Sequence, residues 1–401
     1  MIKVPFFRPE LREAEIQETV ETLRSGWLTT GEKVKLFEKR FAEAVRTKHA
    51  VAVNSGTAAL HLAVEALGLE RGQGVLVPAM TFAATAEVVR YLGATPILVD
   101  CDPVTLNIDL EDARAKADRY QGLAACAGVS EIAGIMPVHV GGFMLEMRAV
   151  REFADQRGLW VVEDSAHAFP AACRDDSDSE WIRSGEDTAD VTCFSFYANK
   201  TITTGEGGMA TTLSDTLAQR MRVMSLHGLS NDAWERYSGG MSWDYRIVAP
   251  GFKYNLTDIA GAIGIHQVAR AEEMRQARER VAHRFLQGFA GVDSVELPPT
   301  SENRIHSWHL FPIKLVLDRL TIDRNEFVSK LRYRGIGFSV HWRPLHLHPY
   351  YEDLGWRPED CPVASEVWQR LISLPIFPGM TDEEIDAVIR VVIDLCTTYR
   401  R

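Results

Sequence analysis

The run Phe194-Ser195-Phe196-Tyr197-Ala198-Asn199-Lys200-Thr201-Ile202-Thr203-Thr204-Gly205-Glu206-Gly207-Gly208-Met209 sets one lysine between a β-favouring segment and a glycine-rich turn. Residues 191–196 are apolar and β-favouring, which predicts a buried strand. Gly205, Gly207 and Gly208 break the regular backbone and let one segment approach another closely. Lys200 is therefore presented near the end of a core strand, the edge at which α/β folds build sites. A lysine so placed reads as one that holds a cofactor carbonyl as a Schiff base.

Apolar runs at 50–53, 74–77, 96–100, 132–138 and 159–162 read as further strands, with helical spacing at 58–67 and 147–156 between them. Strands alternating with helices predict an α/β fold with a mainly parallel sheet flanked by helices. Two helices, 11–24 and 34–45, come first, joined by the loop Trp27-Leu28-Thr29-Thr30-Gly31. From about residue 269 the pattern changes. A charged helix at 272–286 precedes a strand-like run at 308–317, a helix at 324–334, a strand at 337–340 and a final helix at 382–399. The chain reads as a large domain over 1–268, including an N-terminal arm, and a smaller α+β domain over 269–401. The loop 231–250, with Trp234, Tyr237, Trp243 and Tyr245, reads as an interface or a substrate lid.

Two strand ends carry chemistry. Asn54-Ser55-Gly56-Thr57 follows a strand and opens a helix. Free N–H groups at a helix start bind anions such as phosphate, and the same residues also suit a plain helix cap. Asp164, directly after the strand at 159–162, reads either as a helix N-cap or as a carboxylate at the sheet edge. His167, taken alone, suits a packed and hydrogen-bonded histidine as well as a site residue.

The 401-residue chain has a formal net charge of −11. That balance argues against nucleic acid and against an anionic membrane surface as partners, while leaving room for a local basic pocket. The six cysteines form no CxxC pair and no zinc spacing, so neither a metal site nor a disulfide framework is expected. With no signal-like N-terminus and no long apolar span, the expected location is the cytoplasm.

Taken in order, Trp27-Leu28-Thr29-Thr30-Gly31, Asn54-Ser55-Gly56-Thr57-Ala58-Ala59-Leu60, Pro78-Ala79-Met80-Thr81-Phe82, Glu163-Asp164-Ser165-Ala166-His167-Ala168 and the run from Ser195 to Met209 resemble the DegT/DnrJ/EryC1/StrS family. These are pyridoxal-phosphate sugar aminotransferases of fold-type I. The resemblance implies roles residue by residue. Lys200 would form the Schiff base with pyridoxal 5′-phosphate and shuttle the proton, and Asp164 would keep the ring nitrogen protonated. Phe82 would stack on the ring, His167 would lie near its 3′-oxygen, and Gly56, Thr57 and Ser195 would hold the phosphate. Many members carry Gly-aromatic-Asn-aromatic-Arg where this chain has Gly251-Phe252-Lys253-Tyr254-Asn255. Either Lys253 or Asn255 would reach the cofactor phosphate of a partner subunit, which implies a homodimer.

The resemblance further implies transfer of an amino group from an amino acid, usually L-glutamate, to a ketone of a nucleotide-linked deoxy sugar, most often at C4. Thr29, Thr30, the loop 231–250 and His341 would contribute to the sugar pocket. Two other readings are an aminotransferase acting on cyclitol ketones and a pyridoxal-phosphate-binding regulatory protein without turnover. The intact Lys200 weighs against family members that carry histidine there and remove a hydroxyl. The run at 54–57 lacks the GxxxxGK[ST] pattern of a nucleotide-phosphate loop.

Overall fold

A computed structural model describes residues 2–229 and 246–401. Strands β1 (His49–Val53), β2 (Gln73–Pro78), β3 (Thr95–Val99), β4 (Glu131–Ile135) and β5 (Trp160–Asp164) alternate with helices. Most of their residues are buried, which is why they read as continuous apolar runs rather than alternating ones. Two-residue strands β6 (Ala172–Cys173) and β7 (Ile182–Arg183) lie on the polar excursion that follows. The chain then returns to the sheet as β8 (Val191–Ser195) and β9 (Gly208–Thr212). The seven-stranded sheet has the order β1-β9-β8-β5-β4-β2-β3. Only β9 runs against the others, pairing antiparallel with both β1 and β8.

Register decides what meets at the carboxyl edge. Gly208 opposes Val53 on one side and Ser195 on the other, and Asp164 opposes Cys193. The ends of β1, β5 and β8 therefore share one edge. Two glycines allow the helix Gly56–Ala66 to start directly on that edge. A Cβ on Gly208 would fall 2.3 Å from the Ser55 carbonyl oxygen, and one on Gly56 would fall 2.9 Å from Ser195 Cβ.

Neighbouring residues on a strand face opposite sides of the sheet, so Glu163 and Asp164 part company. Glu163 is fully buried and receives hydrogen bonds from His139 Nε2 at 2.7 Å, Ser165 Oγ and Ser184 Oγ at 2.8 Å each, and Thr192 Oγ1 at 3.2 Å. Thr188 Oγ1 donates as well. Burial would push this carboxyl up, but His139 and the hydroxyls outweigh it and hold the pKa at about 2. Glu163 thus ties the loop after β4, the polar excursion and β8 to the end of β5.

Beyond residue 270, β10 (Val295–Glu296), β12 (Phe311–Leu315) and β13 (Leu371–Leu374) form an antiparallel sheet. Strand β11 (Arg304–Ile305) pairs with β6 instead. The strand expected over 308–317 is confined to Phe311–Leu315, because Trp308 adopts a left-handed φ of 50° that breaks the extended run. The expected strand at 337–340 is reduced to a single bridge between Ser339 and Ser373, and β13 was not anticipated. The packing does not divide cleanly at residue 269. Val4 joins the apolar cluster of the C-terminal part, whereas Leu345, Tyr351, Trp356 and Leu371 join the cluster around the large sheet. Residues 231–245 of the loop read as a lid or interface lie outside the described residues. Among the described residues no helix is long and apolar enough to cross a membrane.

The close approach at Gly208 is testable. Gly208→Ala should destabilise the fold by about 1–3 kcal/mol through overpacking against the Ser55 backbone. Gly122→Ala, where an added Cβ meets nothing within 4 Å, should stay within about 0.5 kcal/mol of the parent. Urea unfolding compares the two, and equal midpoints would remove Gly208 from this role.

Candidate active site

A cavity of about 480 Å³ opens at the carboxyl edge, and Lys200 and Asp164 both line it. Lys200 sits in the turn that leaves β8, where its N–H donates to the Tyr197 carbonyl at 2.9 Å. Thr203 Oγ1 and Thr204 N–H both donate to the Phe196 carbonyl at 3.0 Å, which fixes that turn on the sheet. Burial lowers the Lys200 pKa to about 8. Asp164 opposes the shift and Arg278 adds to it. Such an amine has a sizeable neutral, nucleophilic fraction near physiological pH, where an ordinary lysine has almost none.

Asp164 is the last residue of β5, and no helix follows it, so the N-cap reading fails. Its Oδ2 accepts from Thr85 Oγ1 at 2.8 Å and its Oδ1 from Ala166 N–H at 3.1 Å. Neither oxygen is committed to Lys200. Burial raises the Asp164 pKa above the ordinary aspartate range, although Thr85, Ala166 N–H and Lys200 pull the other way.

The cap reading of 54–57 holds and leaves the first N–H groups of the helix open. Ser55 Oγ accepts from Ala58 N–H at 3.1 Å as the helix cap. Gly56 and Thr57 are thereby left facing the cavity at the positive end of the helix, beside Ser195. Phe82 also lines the cavity, and it is 62% exposed, an unusual state for a phenyl ring beside a buried site.

His167 is buried, and its Nδ1 accepts from Gly141 N–H at 3.3 Å, which places the ring proton on Nε2. Burial, with Lys200 and His341 nearby, depresses its pKa well below the usual histidine range. Trp342 stacks on it with ring centroids 5.2 Å apart and 16° between planes. His341 lines the same cavity, with Nδ1 2.8 Å from Ser373 Oγ. Burial and Lys200 push its pKa down to about 4.

The remaining expected site residues lie elsewhere in this chain. Asn255 Nδ2 donates to Thr30 Oγ1 at 2.7 Å, and Lys253 Nζ to Asn255 Oδ1 at 2.5 Å. The Thr29 carbonyl accepts from Asp258 N–H at 3.1 Å. Thr29, Thr30, Lys253 and Asn255 thus form a group apart from the residues that line the Lys200 cavity. The two groups are mechanically joined, since Asn54 N–H donates to the Tyr254 carbonyl at 2.7 Å. Thr85, Trp342 and His309 are among the residues of the cavity region that escaped the sequence reading. Trp342 lay inside a run dense in histidine and aromatics; Thr85 and His309 carried no signal of their own.

The donor set fits pyridoxal phosphate on this structure's own terms. An under-compensated buried carboxylate suits a protonated ring nitrogen. An exposed phenyl ring suits a flat partner, a free helix start beside Ser195 suits a phosphate, and a buried neutral-prone lysine suits an aldehyde. Capture of added pyridoxal phosphate by the cofactor-free protein should therefore speed up as pH rises through about 8 and level off above it. An ordinary lysine would continue to gain up to about pH 10.4. Stopped-flow absorbance measures this, and a rate still climbing at pH 10 would contradict the depressed Lys200 pKa.

Residues 9–393 match the model of the DegT/DnrJ/EryC1/StrS aminotransferase family. The chain is 40% identical over 394 residues to the spore coat polysaccharide biosynthesis protein SpsC of Bacillus subtilis, covering 98% of this chain and 97% of that one. The Streptococcus pneumoniae protein Spr1654, solved in its PMP form, is 31% identical with a TM-score of 0.87 over 99% of this chain and 98% of that one. Its PLP form gives the same TM-score at 30% identity. The sugar aminotransferase CalS13 of Micromonospora echinospora is 26% identical with a TM-score of 0.83, covering 98% of this chain and 99% of that one. The chain belongs to the DegT/DnrJ/EryC1/StrS aminotransferase family, the pyridoxal-phosphate sugar aminotransferases of fold-type I.

Proposed function

We propose that this sugar aminotransferase moves the amino group of L-glutamate to the C4 ketone of a nucleotide-linked deoxy sugar. The observation that carries the reading is the placement of Lys200 and Asp164 in one cavity, beside a helix start free to hold phosphate. Bound pyridoxal phosphate supplies an electron sink that stabilises the carbanion formed when the donor loses its α-proton. Asp164 would keep the ring nitrogen protonated and so set that sink. Gly56 and Thr57 N–H groups and Ser195 Oγ would hold the phosphate, and Phe82 would stack on the ring. Lys200 Nζ takes the proton from the donor's α-carbon and, in the second half-reaction, delivers one to the sugar carbon that becomes the amine-bearing centre. His167 stays neutral, and its Nε2–H would serve as a hydrogen-bond donor to the cofactor.

Lys253, Asn255, Thr29 and Thr30 are assigned to the site of a partner subunit in a homodimer. Their position apart from the Lys200 cavity of their own chain supports this. The role in coat polysaccharide synthesis named for the Bacillus subtilis relative supports a sugar rather than a cyclitol acceptor.

The test is glutamate supplied with a panel of nucleotide-linked 4-keto and 3-keto sugars and one cyclitol ketone, with product mass and regiochemistry read out. The expected product carries its amine at C4 of the sugar, and Lys200→Ala should lower turnover by about 10²–10⁴-fold or more. Amination of the cyclitol alone, or at C3 alone, would overturn the assignment.

A further inference from the structure

His309 is held at the cavity by a strained and well-braced segment. The preceding residue, Trp308, has a φ of 50°, a conformation a bulky side chain adopts only when its surroundings enforce it. Trp308 stacks on His306 with centroids 3.9 Å apart and 8° between planes, and its N–H donates to His306 Nδ1 at 2.9 Å. The buried Arg278 guanidinium donates to the carbonyls of Trp308, His309 and Ile376 at 3.3, 3.4 and 2.8 Å. On the far side, Leu310 N–H donates to the Gly141 carbonyl at 3.2 Å. The result is a histidine lining the Lys200 cavity, its ring 4.2 Å from that of His167.

The ring is only 4% exposed, yet its Nδ1 has no hydrogen-bond partner. Buried polar atoms in native proteins are nearly always paired, so an unpaired nitrogen on a ring that borders a cavity points to a ligand. Burial, together with His167, Lys200, Arg278 and His341, keeps the ring's pKa well below the usual range. A neutral imidazole offers one donor and one acceptor. That matches a hydroxyl, which is also both, better than a diphosphate or a carboxylate, which only accept.

We propose that His309 is a substrate-binding residue that holds a hydroxyl of the sugar. The proposal rests on the sugar-aminotransferase reading of this same cavity. His309 contacts the hexose part of the substrate and contributes nothing to the nucleotide, the cofactor or the amino donor.

The experiment uses the cofactor-loaded protein and calorimetric titration with UDP-glucose and dTDP-glucose, each against UDP or dTDP alone. In the parent, at least one hexose-bearing nucleotide should bind more tightly than its nucleoside diphosphate. His309→Phe, which keeps the ring and removes both nitrogens, should weaken that hexose nucleotide about tenfold and leave the diphosphate unchanged. His309→Asn restores a donor and an acceptor and should recover most of the loss. Glutamate-driven loss of the cofactor absorbance in the parent tests the aminotransferase reading separately from the role of His309. No hexose advantage in the parent, an advantage unchanged in His309→Phe, or an equal loss for diphosphate and hexose nucleotide would each overturn the proposal. If the parent fails to respond to glutamate, the aminotransferase reading itself falls. If it responds and only the hexose effect is missing, the role of His309 alone falls.

Discussion

Taking the Asp164 carboxylate out of water carries an effective penalty of several kcal/mol unless charge or donors replace the lost hydration. The chain replaces it only in part, with Thr85 Oγ1 and Ala166 N–H, and burial still leaves the group above its ordinary pKa. A protonated pyridine nitrogen is the counter-charge that this environment favours, and the carboxylate in turn keeps such a nitrogen protonated. Lys200 meets the same low polarity from the other side, where burial drives its amine toward the neutral form. Glu163, one residue earlier, shows the contrast. Five donors surround it, and the carboxylate stays ionised as a structural tie. Two adjacent carboxylates thus take opposite tasks because the strand turns them to opposite faces.

The rest of the fold serves that pair. Antiparallel β9 inserts between β1 and β8, so that Gly208 brings the start of the helix Gly56–Ala66 onto the end of β8. The C-terminal part supplies the opposite wall of the cavity through His309, His341 and Trp342. Its histidines are kept neutral by burial, which leaves hydrogen bonding rather than charge as their means of contact.

The alternating architecture was legible because strands buried on both faces are continuous apolar runs, punctuated by glycine and small polar turns. Lys200 was legible for the same reason: a charged side chain stood at the end of such a run. Asp164 was ambiguous, because an N-cap and a sheet-edge carboxylate look alike until the next residues are seen not to form a helix. The reversal of β9 was not read, since two residues that pair across Gly208, Val53 and Ser195, are 142 positions apart in sequence. His309 was submerged in an expected strand. What removes it from that strand is the left-handed Trp308, and tertiary contacts with His306 and Arg278 enforce that conformation rather than any local preference. The grouping of Thr30, Lys253 and Asn255 away from the Lys200 cavity likewise follows from tertiary pairing.

The proposed chemistry turns on Lys200 as the residue to which the cofactor becomes bonded. Borohydride reduction of the cofactor-loaded protein, followed by peptide mass spectrometry, tests it most directly. A pyridoxyl-phosphate adduct is expected on the peptide that contains Lys200, and no adduct in Lys200→Ala. An adduct on another lysine, Lys253 for instance, or an undiminished yield in Lys200→Ala, would contradict it.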